Sequence, residues 1–230
     1  MALLHIILGD NNSNIYLYTL RFKYKKKAMK SPIEVFSNWA ISGKDDGMEK
    51  NHFKSVMKMI DLYPNRDNFT CIDAGCGNGW LVRYISKLKG CKNVIGIDGS
   101  IHMIKKAKSL DNKNNYYCHD LISWIPTQKV DVVFSMEVFY YFKNPNIIIK
   151  HICDNWLKRG GKLIMGIDHY FENEECHNWK DKIEVETMEL IKINEWLHFF
   201  KKCKFKNVKK YQFFPKKNWK GTLVIEGTKF

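Results

Sequence analysis

The chain has 230 residues, of which 45% are hydrophobic and 27% charged, and its formal net charge is +14. This composition is close to that of an average globular protein, and no stretch approaches the roughly 18 uninterrupted apolar residues of a membrane-spanning helix. A collagenous, mainly disordered or multispan protein is therefore excluded. The length suits one large domain or a domain with appendages, since domains usually run to roughly 100–200 residues.

The positive charge is concentrated at the two ends of the chain. Residues 1–30 contain six Lys and Arg against one acid, residues 201–220 contain nine Lys and no acid, and residues 31–200 contain 22 of each sign. A basic end can bind a polyanion, but a solvated strand edge or a lysine-rich background composition gives the same pattern. Both interpretations stay open at this point.

The seven cysteines are odd in number and widely scattered, and none has a CxxC or Cys/His spacing suited to zinc. They predict reduced, mostly buried thiols in an intracellular protein. No metal site is expected.

Residues 1–30 are predicted to be an appendage, and residues 31–230 the functional domain. The apolar run at 2–8 has no preceding positive charge and no small-residue cleavage site after it, so a secretory signal is not expected. The basic, acid-free stretch 21–27 allows organellar import, and Met29 can equally be the true start of a reading frame extended upstream. We expect a cytoplasmic protein, with organellar import as the alternative.

From Ser31 onward the sequence alternates helices and strands. Ser31, Pro32 and Glu34 form a capping-box start, which predicts a helix beginning at Pro32. Further helices are predicted over 48–63, 80–90, 100–110, 144–161 and 194–203. Strands are predicted at 69–74, 93–98, 115–120, 130–136, 161–168, 205–214 and 221–229. This alternation predicts an α/β, Rossmann-like sheet of seven strands, mostly parallel with an antiparallel last strand, and helices on both faces.

A glycine-rich loop follows the first of these strands. Open parallel sheets bind ligands at the carboxyl ends of their strands, and here that place reads CIDAGCGNGW (71–80). The glycines allow a sharp turn and a close approach of the backbone to a ligand. A dinucleotide fingerprint G-x-G-x-x-G is absent, because Trp80 stands where its last glycine is needed, and Asp73 would oppose a phosphate. The spacing therefore disfavours a nicotinamide oxidoreductase.

An aspartate lies at or near the carboxyl end of each of the first three predicted strands. Asp73 suits a ligand with an ammonium group, Asp98 can accept hydrogen bonds from ribose hydroxyls, and Asp120 can accept one from the amino group of an adenine ring. An Asp at a strand end can also simply cap the following helix, worth about 1 kcal/mol. The joint placement of the three acids favours a ligand site.

Five motifs occur in order along the chain. They are D-x-G-C-G-x-G (73–79), G-I-D-G-S with M-I-x-x-A (96–107), H-D-L (119–121), F-S-M-E-V-F-Y-Y (134–141) and L-K-R-G-G-K-L (157–163). Together they resemble the class I S-adenosylmethionine-dependent methyltransferases, of the broad type that acts on small molecules. The resemblance covers about residues 48–229, and its C-terminal part is similar to uncharacterised stand-alone members.

The resemblance implies S-adenosyl-L-methionine as the cofactor. It places the methionine part at the glycine loop, the ribose at Asp98 and the adenine at Asp120 and Leu121. The predicted cofactor-binding residues are Asp73, Gly75, Cys76, Gly77, Asp98, Gly99, Asp120, Leu121 and Met136.

A methyl acceptor that is a hydroxyl or an ammonium group needs a base to remove its proton. The candidates are His169, Glu137 and Tyr140, although Glu137 can equally cap a short helix and Tyr140 can pack in the core. Segments 32–63 and 168–193 are expected to cover the pocket, because they are able to fold over the carboxyl edge of the sheet.

Methylation of an O, N or S atom of a small molecule is the function we expect. The alternative is a methyltransferase acting on RNA or protein, docked through the Lys-rich segment 201–220. No N-P-P-Y-type tetrapeptide follows the fourth strand, which disfavours amino-group methylation on bases or glutamine. A cofactor-binding module without turnover is a third hypothesis, and nothing in the intact loop and acids favours it.

Overall fold

The computed structural model describes residues 4–9, 15–20, 28–64 and 67–230, the first two ranges for their backbone only. Strands β1 (Leu4–Gly9) and β2 (Ile15–Leu20) pair antiparallel in a two-stranded sheet separate from the main sheet. Half of the predicted appendage, residues 1–3, 10–14 and 21–27, lies outside the described residues, and the boundary between appendage and domain stays a prediction. Among the described residues, no helix is long and apolar enough to cross a membrane.

The main sheet has seven strands in the order β5-β4-β3-β6-β7-β9-β8. They are β3 (Phe69–Ala74), β4 (Cys91–Asp98), β5 (Asn115–Cys118), β6 (Val130–Met136), β7 (Leu157–Ile167), β8 (Phe205–Phe213) and β9 (Thr222–Lys229). The pairs from β5 to β7 are parallel, and β9 runs antiparallel to both β7 and β8. The predicted seven-stranded, mostly parallel sheet with an antiparallel last strand is confirmed. The order reverses between β3 and β6, where such sheets bind ligands.

Seven α-helices accompany these strands in the described part of the chain. They are α1 (Pro32–Ser42), α2 (Gly47–Asp61), α3 (Trp80–Ile85), α4 (Ile101–Leu110), α5 (Pro145–His151), α6 (Trp179–Ile183) and α7 (Ile193–Lys202). The capping box of α1 is confirmed, because the Glu34 N–H donates to Ser31 Oγ at 3.3 Å and the Ser31 N–H donates to Glu34 Oε2 at 2.9 Å. This box fixes where the chain enters the first helix above the sheet.

The largest difference from the predicted elements lies in 144–161, which we expected to be one helix. Instead α5 ends before a π-helical segment at 152–156, and β7 begins directly after it. The cause is packing against a distant part of the chain, because Trp156 is fully buried and its indole N–H donates to Trp124 O at 2.9 Å. Helix α3 is also shorter than predicted, because the chain leaves it through tight turns after Ile85.

The core has two parts, one on each face of the sheet, as alternation of side chains along parallel strands requires. One face packs Cys71, Val132 and Ile164 against α2, α3 and α4. The other packs Ile72, Val133 and Leu163 against α5 and α7. Helices therefore cover both faces, and only the edges of the sheet, including the carboxyl ends of β3 to β7, remain for a site.

Candidate active site

A cavity of about 710 Å³ opens at the carboxyl ends of the parallel strands. Its floor comes from the loops after β3, β4, β5, β6 and β7. Its cover comes from α1, α2 and residues 179–188, which are parts of the two segments predicted to cover the pocket. The size is within the range of roughly 300–1,000 Å³ that small-molecule sites occupy.

The glycine loop after β3 forms one wall of the cavity. Its N–H groups at Gly75 and Cys76 both donate to Ile97 O, at 2.8 and 3.0 Å, which ties the loop to the neighbouring strand β4. Gly75 has a φ of 79°, and a Cβ on it would lie 2.3 Å from Val138 Cγ2. Only glycine fits here, because both the backbone conformation and the close approach of Val138 exclude a side chain.

Asp98 is held in place by two backbone donors. Its Oδ2 accepts the Gly77 N–H at 3.0 Å, and its Oδ1 accepts the Ser100 N–H at 2.8 Å. Burial raises the pKa of Asp98, and these two hydrogen bonds oppose the increase. Asp120, at the next strand end, accepts the Ile122 N–H at 3.2 Å, and both acids line the cavity. A carboxylate at each of these two strand ends therefore faces the same space.

Of the nine predicted cofactor-binding residues, seven line the cavity: Gly75, Gly77, Asp98, Gly99, Asp120, Leu121 and Met136. Asp73 and Cys76 do not line it. Asp73 is only 4% exposed, and burial, helped by the negative charge of Asp98, raises its pKa to about 8. The Cys76 thiol packs beside Gly96 instead of facing the cavity.

Glu137 forms the opposite wall, at the end of β6. It has a φ of 61°, which is uncommon for a residue with a side chain and costs roughly 1–3 kcal/mol, a strain that clusters at functional sites. Its Oε2 accepts the Tyr140 hydroxyl at 2.7 Å, and its Oε1 accepts the Asp168 N–H. Glu137 thus joins the loop after β6 to the end of β7. Burial first, and then the charge of Asp168, raises the pKa of Glu137.

Asp168 is the second acid of this wall and is 7% exposed. Its Oδ2 lies 3.7 Å from Nδ1 of His52, on α2, and its Oδ1 is buried without a hydrogen-bond partner among the described residues. Burial raises the pKa of Asp168 and lowers that of His52. Asp168 and His52 both line the cavity, and the sequence analysis assigned neither of them to the site.

Comparison with known proteins agrees with this geometry. Residues 72–165 match the family described as a methyltransferase domain. A Haloferax volcanii methyltransferase, solved in complex with the activator Trm112, superposes with a TM-score of 0.72 at 25% identity, over 84% of this chain and 96% of that one. Residues 72–165 are therefore a class I S-adenosylmethionine-dependent methyltransferase domain.

Further relatives of the methyltransferase domain differ in what they act on. Trans-aconitate 2-methyltransferase of Rhizobium rhizogenes is 33% identical over 92 residues, or 40% of this chain and 36% of that protein. The tRNA U34 carboxymethyltransferase of Actinobacillus succinogenes is 30% identical over 125 residues, or 50% of this chain and 37% of that protein. The N-methyltransferase NodS of Bradyrhizobium japonicum, solved with S-adenosylhomocysteine, shares the fold with a TM-score of 0.66 at 13% identity. The match covers 87% of this chain and 99% of that one. This chain spans about half the length, or less, of the curated relatives it matches.

The residues of the methyltransferase domain fit S-adenosylmethionine. Gly75 leaves room where a Cβ would meet Val138, and Asp98 and Asp120 present carboxylates at adjacent strand ends. Asp73, buried with a raised pKa, is in an environment that a nearby positive charge would stabilise. When bound, this cofactor supplies an electrophilic methyl group on a positively charged sulfur.

His169, the first of the predicted bases, has no surface in the cavity of the domain. It is 1% exposed, its Nδ1 lies 3.2 Å from Cys176 O, and its ring lies between those of Tyr140 and Trp179, at 5.2 and 6.4 Å between centroids. Burial lowers the pKa of His169 to about 4. The histidine that lines the cavity is His52, one helical turn after Met48 on α2.

Aromatic side chains complete the wall around Glu137 and Asp168. They come from the cover and from the loop after β6, and they are Phe36, Trp39, Tyr141, Phe142 and Trp179. Sequence reasoning did not assign them to the site, because an aromatic residue at helical spacing is more often part of a core. For Phe36, Trp39 and Trp179 the only signal was their location in the two segments expected to cover the pocket, and Tyr141 and Phe142, which follow the fourth strand, lie in neither segment.

Proposed function

We propose that this chain transfers the methyl group of S-adenosyl-L-methionine to an O, N or S atom of a small molecule bound in the cavity. The observation that supports it is the composition of one cavity. It joins the glycine loop and two strand-end acids, which suit the cofactor, to a second wall of acids and aromatic rings, and it lies beneath helices of the cover. The similarity to trans-aconitate 2-methyltransferase also favours a small acceptor.

In this proposal each part of the glycine-loop wall has a role in binding the cofactor. Gly75 and Gly77 border the methionine part, Asp98 accepts hydrogen bonds from the ribose and Asp120 from the adenine, with Leu121 beside it. Gly99 and Met136 contribute surface. Asp73 acts through its charge from outside the cavity lining, and Cys76 shapes the loop.

Rate enhancement comes mainly from positioning in this proposal. Holding an acceptor against the methyl group in a closed cavity can supply several of the roughly 7–11 kcal/mol available from proximity. Asp168, assisted by His52, is the group best placed to take a proton, because its Oδ1 has no hydrogen-bond partner among the described residues. Glu137 and Tyr140, which we predicted as bases, are hydrogen-bonded to each other and act by fixing Asp168 through its N–H.

The alternative is action on RNA or protein through the Lys-rich segment 201–220. The tRNA-modifying relatives favour it, and the segment presents exposed lysines along the outermost strand β8. No residue of the segment lines the cavity, however, and the wall that contains Glu137 and Asp168, which we call the acceptor wall, is acidic and repels a phosphate backbone. Charge reversal at Lys209, Lys210, Lys216 and Lys217 would abolish RNA binding under the alternative and leave small-molecule methylation unchanged under ours.

Calorimetry with S-adenosylmethionine and with NADH tests the cofactor assignment. We expect saturable binding of the first alone, and a loss of at least about tenfold, or 1.4 kcal/mol, in the Asp98→Ala variant. The matched control is Asp61→Ala, an exposed acid at the end of α2, which should bind like the wild type. Equal binding by Asp98→Ala would contradict the assignment.

Transfer of a labelled methyl group tests the target class. With an extract separated into small molecules, RNA and protein, we expect label in the small-molecule fraction. Label in RNA or protein would establish the alternative, and cofactor binding without label in any fraction would favour a binding module.

A further inference from the structure

The acceptor wall has one acid whose bonding is incomplete. Glu137 accepts hydrogen bonds with both oxygens, from Tyr140 and from the Asp168 N–H. Asp168 has a side-chain hydrogen bond with Thr222 but keeps Oδ1 without a partner among the described residues, and the residue, whose side chain is 11% exposed, lines the cavity. A buried carboxylate oxygen without a donor is costly, so a ligand that donates a hydrogen bond there would be strongly favoured.

The two acids of this wall also lack a fixed cation. Among the described residues, no Lys or Arg forms an ion pair with Glu137 or Asp168, and only His52 lies near, at 3.7 Å. Lys44, which lines the cavity, has its Nζ 4.3 Å from the centroid of the Trp39 ring instead. Two adjacent buried carboxyl groups without a cation attract a positively charged ligand.

This wall is next to the place where the cofactor is expected. Val138, which follows Glu137, contacts Gly75 so closely that a Cβ there would collide with it. On the other side, α2 spans both walls: Met48 Cε lies 3.4 Å from the Cβ position of Gly77, and His52 reaches Asp168 one turn later. The glycine loop and Asp168 therefore border the same cavity, joined through Val138 and through α2.

We propose that the methyl acceptor is an amine, which enters as an ammonium ion and donates a hydrogen bond to the Asp168 carboxylate. This inference rests on the proposed function. An ammonium group supplies both the missing donor and the missing charge, whereas a hydroxyl supplies only the donor and a carboxylate acceptor is repelled. The surrounding rings of Phe36, Trp39, Tyr141 and Trp179 present an apolar, electron-rich surface that also suits a cation.

The reaction balances with these residues. The ammonium nitrogen first gives one proton to the Asp168 carboxylate, which exposes its lone pair. The new N–C bond then forms as the S–C bond breaks, with the electron pair of that bond left on sulfur. The products are a methylated ammonium ion, a neutral thioether and a protonated Asp168, whose proton can pass to solvent through His52.

The test uses the full chain saturated with S-adenosylhomocysteine and a matched panel of ligands. Phenylethyl and n-butyl skeletons are each offered as the primary amine, the alcohol and the carboxylic acid, and binding is measured by calorimetry. We expect at least one amine to bind about tenfold or more tighter than its alcohol, since a hydrogen bond to a charged group contributes roughly 1.5–3 kcal/mol, and the acids not to bind.

The matched variants are Asp168→Asn and Asp181→Asn. The first keeps the shape but removes the charge, so the preference for amine over alcohol should fall at least about tenfold. The second changes an exposed acid of α6 outside the cavity lining and should keep the preference. Unchanged affinity for S-adenosylhomocysteine shows that Asp168→Asn is folded. If the variant does not fold, the comparison of amine with alcohol in the wild-type protein still tests the proposal.

Three results would overturn the proposal: alcohols or acids that bind as tightly as the amines, an amine preference that persists in Asp168→Asn, or no amine binding to the cofactor-saturated protein. Failure of the proposed function looks different, because then S-adenosylhomocysteine itself would not bind or would bind equally well to Asp98→Ala.

Discussion

The two walls of the cavity use acids in opposite ways. We call the wall that contains Gly75, Gly77, Asp98 and Asp120 the cofactor wall. On the cofactor wall, Asp98 accepts two backbone N–H groups, at 2.8 and 3.0 Å, and is fixed before any ligand arrives. On the acceptor wall, Asp168 retains a buried oxygen without a partner among the described residues. The first arrangement positions a carboxylate for neutral hydroxyl donors, and the second leaves one that a ligand must complete. Under the proposed function, preorganisation therefore belongs to the cofactor wall, and selectivity for the acceptor belongs to the acceptor wall.

The walls also differ in how they are encoded. The cofactor wall comes from loops that directly follow β3, β4 and β5, whereas the acceptor wall joins His52, Glu137 and Asp168 from α2, β6 and β7. A substitution in the cofactor wall should therefore change the affinity for the cofactor directly. A substitution in the acceptor wall should leave the cofactor wall intact.

Gly75→Ala should have the largest effect, because it changes the contact at which the two walls meet. A Cβ here would lie 2.3 Å from Val138 Cγ2, with a φ of 79°. We expect a loss of about 2–5 kcal/mol in unfolding free energy, from roughly 1–2 for the left-handed backbone and 1–3 for overpacking, together with loss of cofactor binding. Urea denaturation and calorimetry measure the two effects.

Gly160→Ala is the matched control for this prediction. Gly160 has nearly the same φ, 78°, but a Cβ on it would meet nothing within 4 Å. It should lose only the backbone part, about 1–2 kcal/mol, and bind the cofactor normally. Equal losses in both variants would show that the contact between the walls contributes nothing.

Asp45→Ala tests whether the cover is fastened to the cofactor wall. Asp45 is fully buried between α1 and α2, and it accepts Nδ2 of Asn78 at 2.9 Å and Nζ of Lys106 at 2.7 Å. Removing it leaves both donors without this partner, so we expect a loss of about 3 kcal/mol in unfolding free energy and faster hydrogen exchange in α1 and α2.

Asp46→Ala is its control, since Asp46 binds the same lysine at 2.6 Å with a side chain that is 69% exposed. Exposed ion pairs contribute about 0–1 kcal/mol, so this variant should stay close to the wild type. A similar loss in both would mean that Lys106, and not the buried link to the glycine loop, holds the cover.

Most of the fold could be predicted from the sequence because it depends on local patterns. Alternation of apolar runs with helical spacing predicted all seven strands of the main sheet, and Ser31 with Glu34 predicted the start of α1. The π-helical segment at 152–156 could not be predicted, because it depends on the burial of Trp156 against a carbonyl 32 residues away. The helical spacing of apolar residues in this segment continues past the point where β7 begins, so the sequence pattern does not show where the helix ends.

The site residues also divide into those that a local sequence pattern predicts and those that only the folded chain brings together. The glycine loop, Asp98 and Asp120 could be found because each follows a strand in the chain, and strand ends of a parallel sheet meet at one edge. His52 and Asp168 are 116 positions apart and have no spacing that relates them. His169, next to Asp168, was the candidate instead, because sequence alone does not show which of two neighbouring side chains at a strand end faces the cavity.

Asp73→Asn isolates the electrostatics behind the cofactor wall. Burial and the charge of Asp98 raise the pKa of Asp73 from 3.8 to about 8. The folded protein therefore keeps a proton that the unfolded chain has lost, and its stability falls as the pH rises between these values. The variant lacks this fall in stability. The difference in unfolding free energy between variant and wild type should therefore change by up to about 1.4 kcal/mol between pH 6 and pH 7.

Urea midpoints at each pH measure this slope, with the exposed Asp61→Asn as the control that should follow the wild type. Saturation with S-adenosylmethionine should flatten the wild-type slope, because a positive charge nearby lowers the pKa of an acid. Parallel curves for wild type and Asp73→Asn would contradict the raised pKa.

Tyr140→Phe should have the smallest effect on stability. It tests most directly whether the acceptor wall can be changed without changing cofactor binding. It removes the hydroxyl that donates to Glu137 Oε2 at 2.7 Å but leaves the bond from the Asp168 N–H to Glu137, so the acceptor wall loosens without losing its charge. We expect a loss of about 1 kcal/mol in unfolding free energy and unchanged affinity for the cofactor. Tyr117→Phe, on a residue that is 41% exposed, should lose almost nothing. If Tyr140→Phe weakened cofactor binding as much as acceptor binding, the two walls would act as one unit, and the division between a preorganised half and a selective half would be wrong.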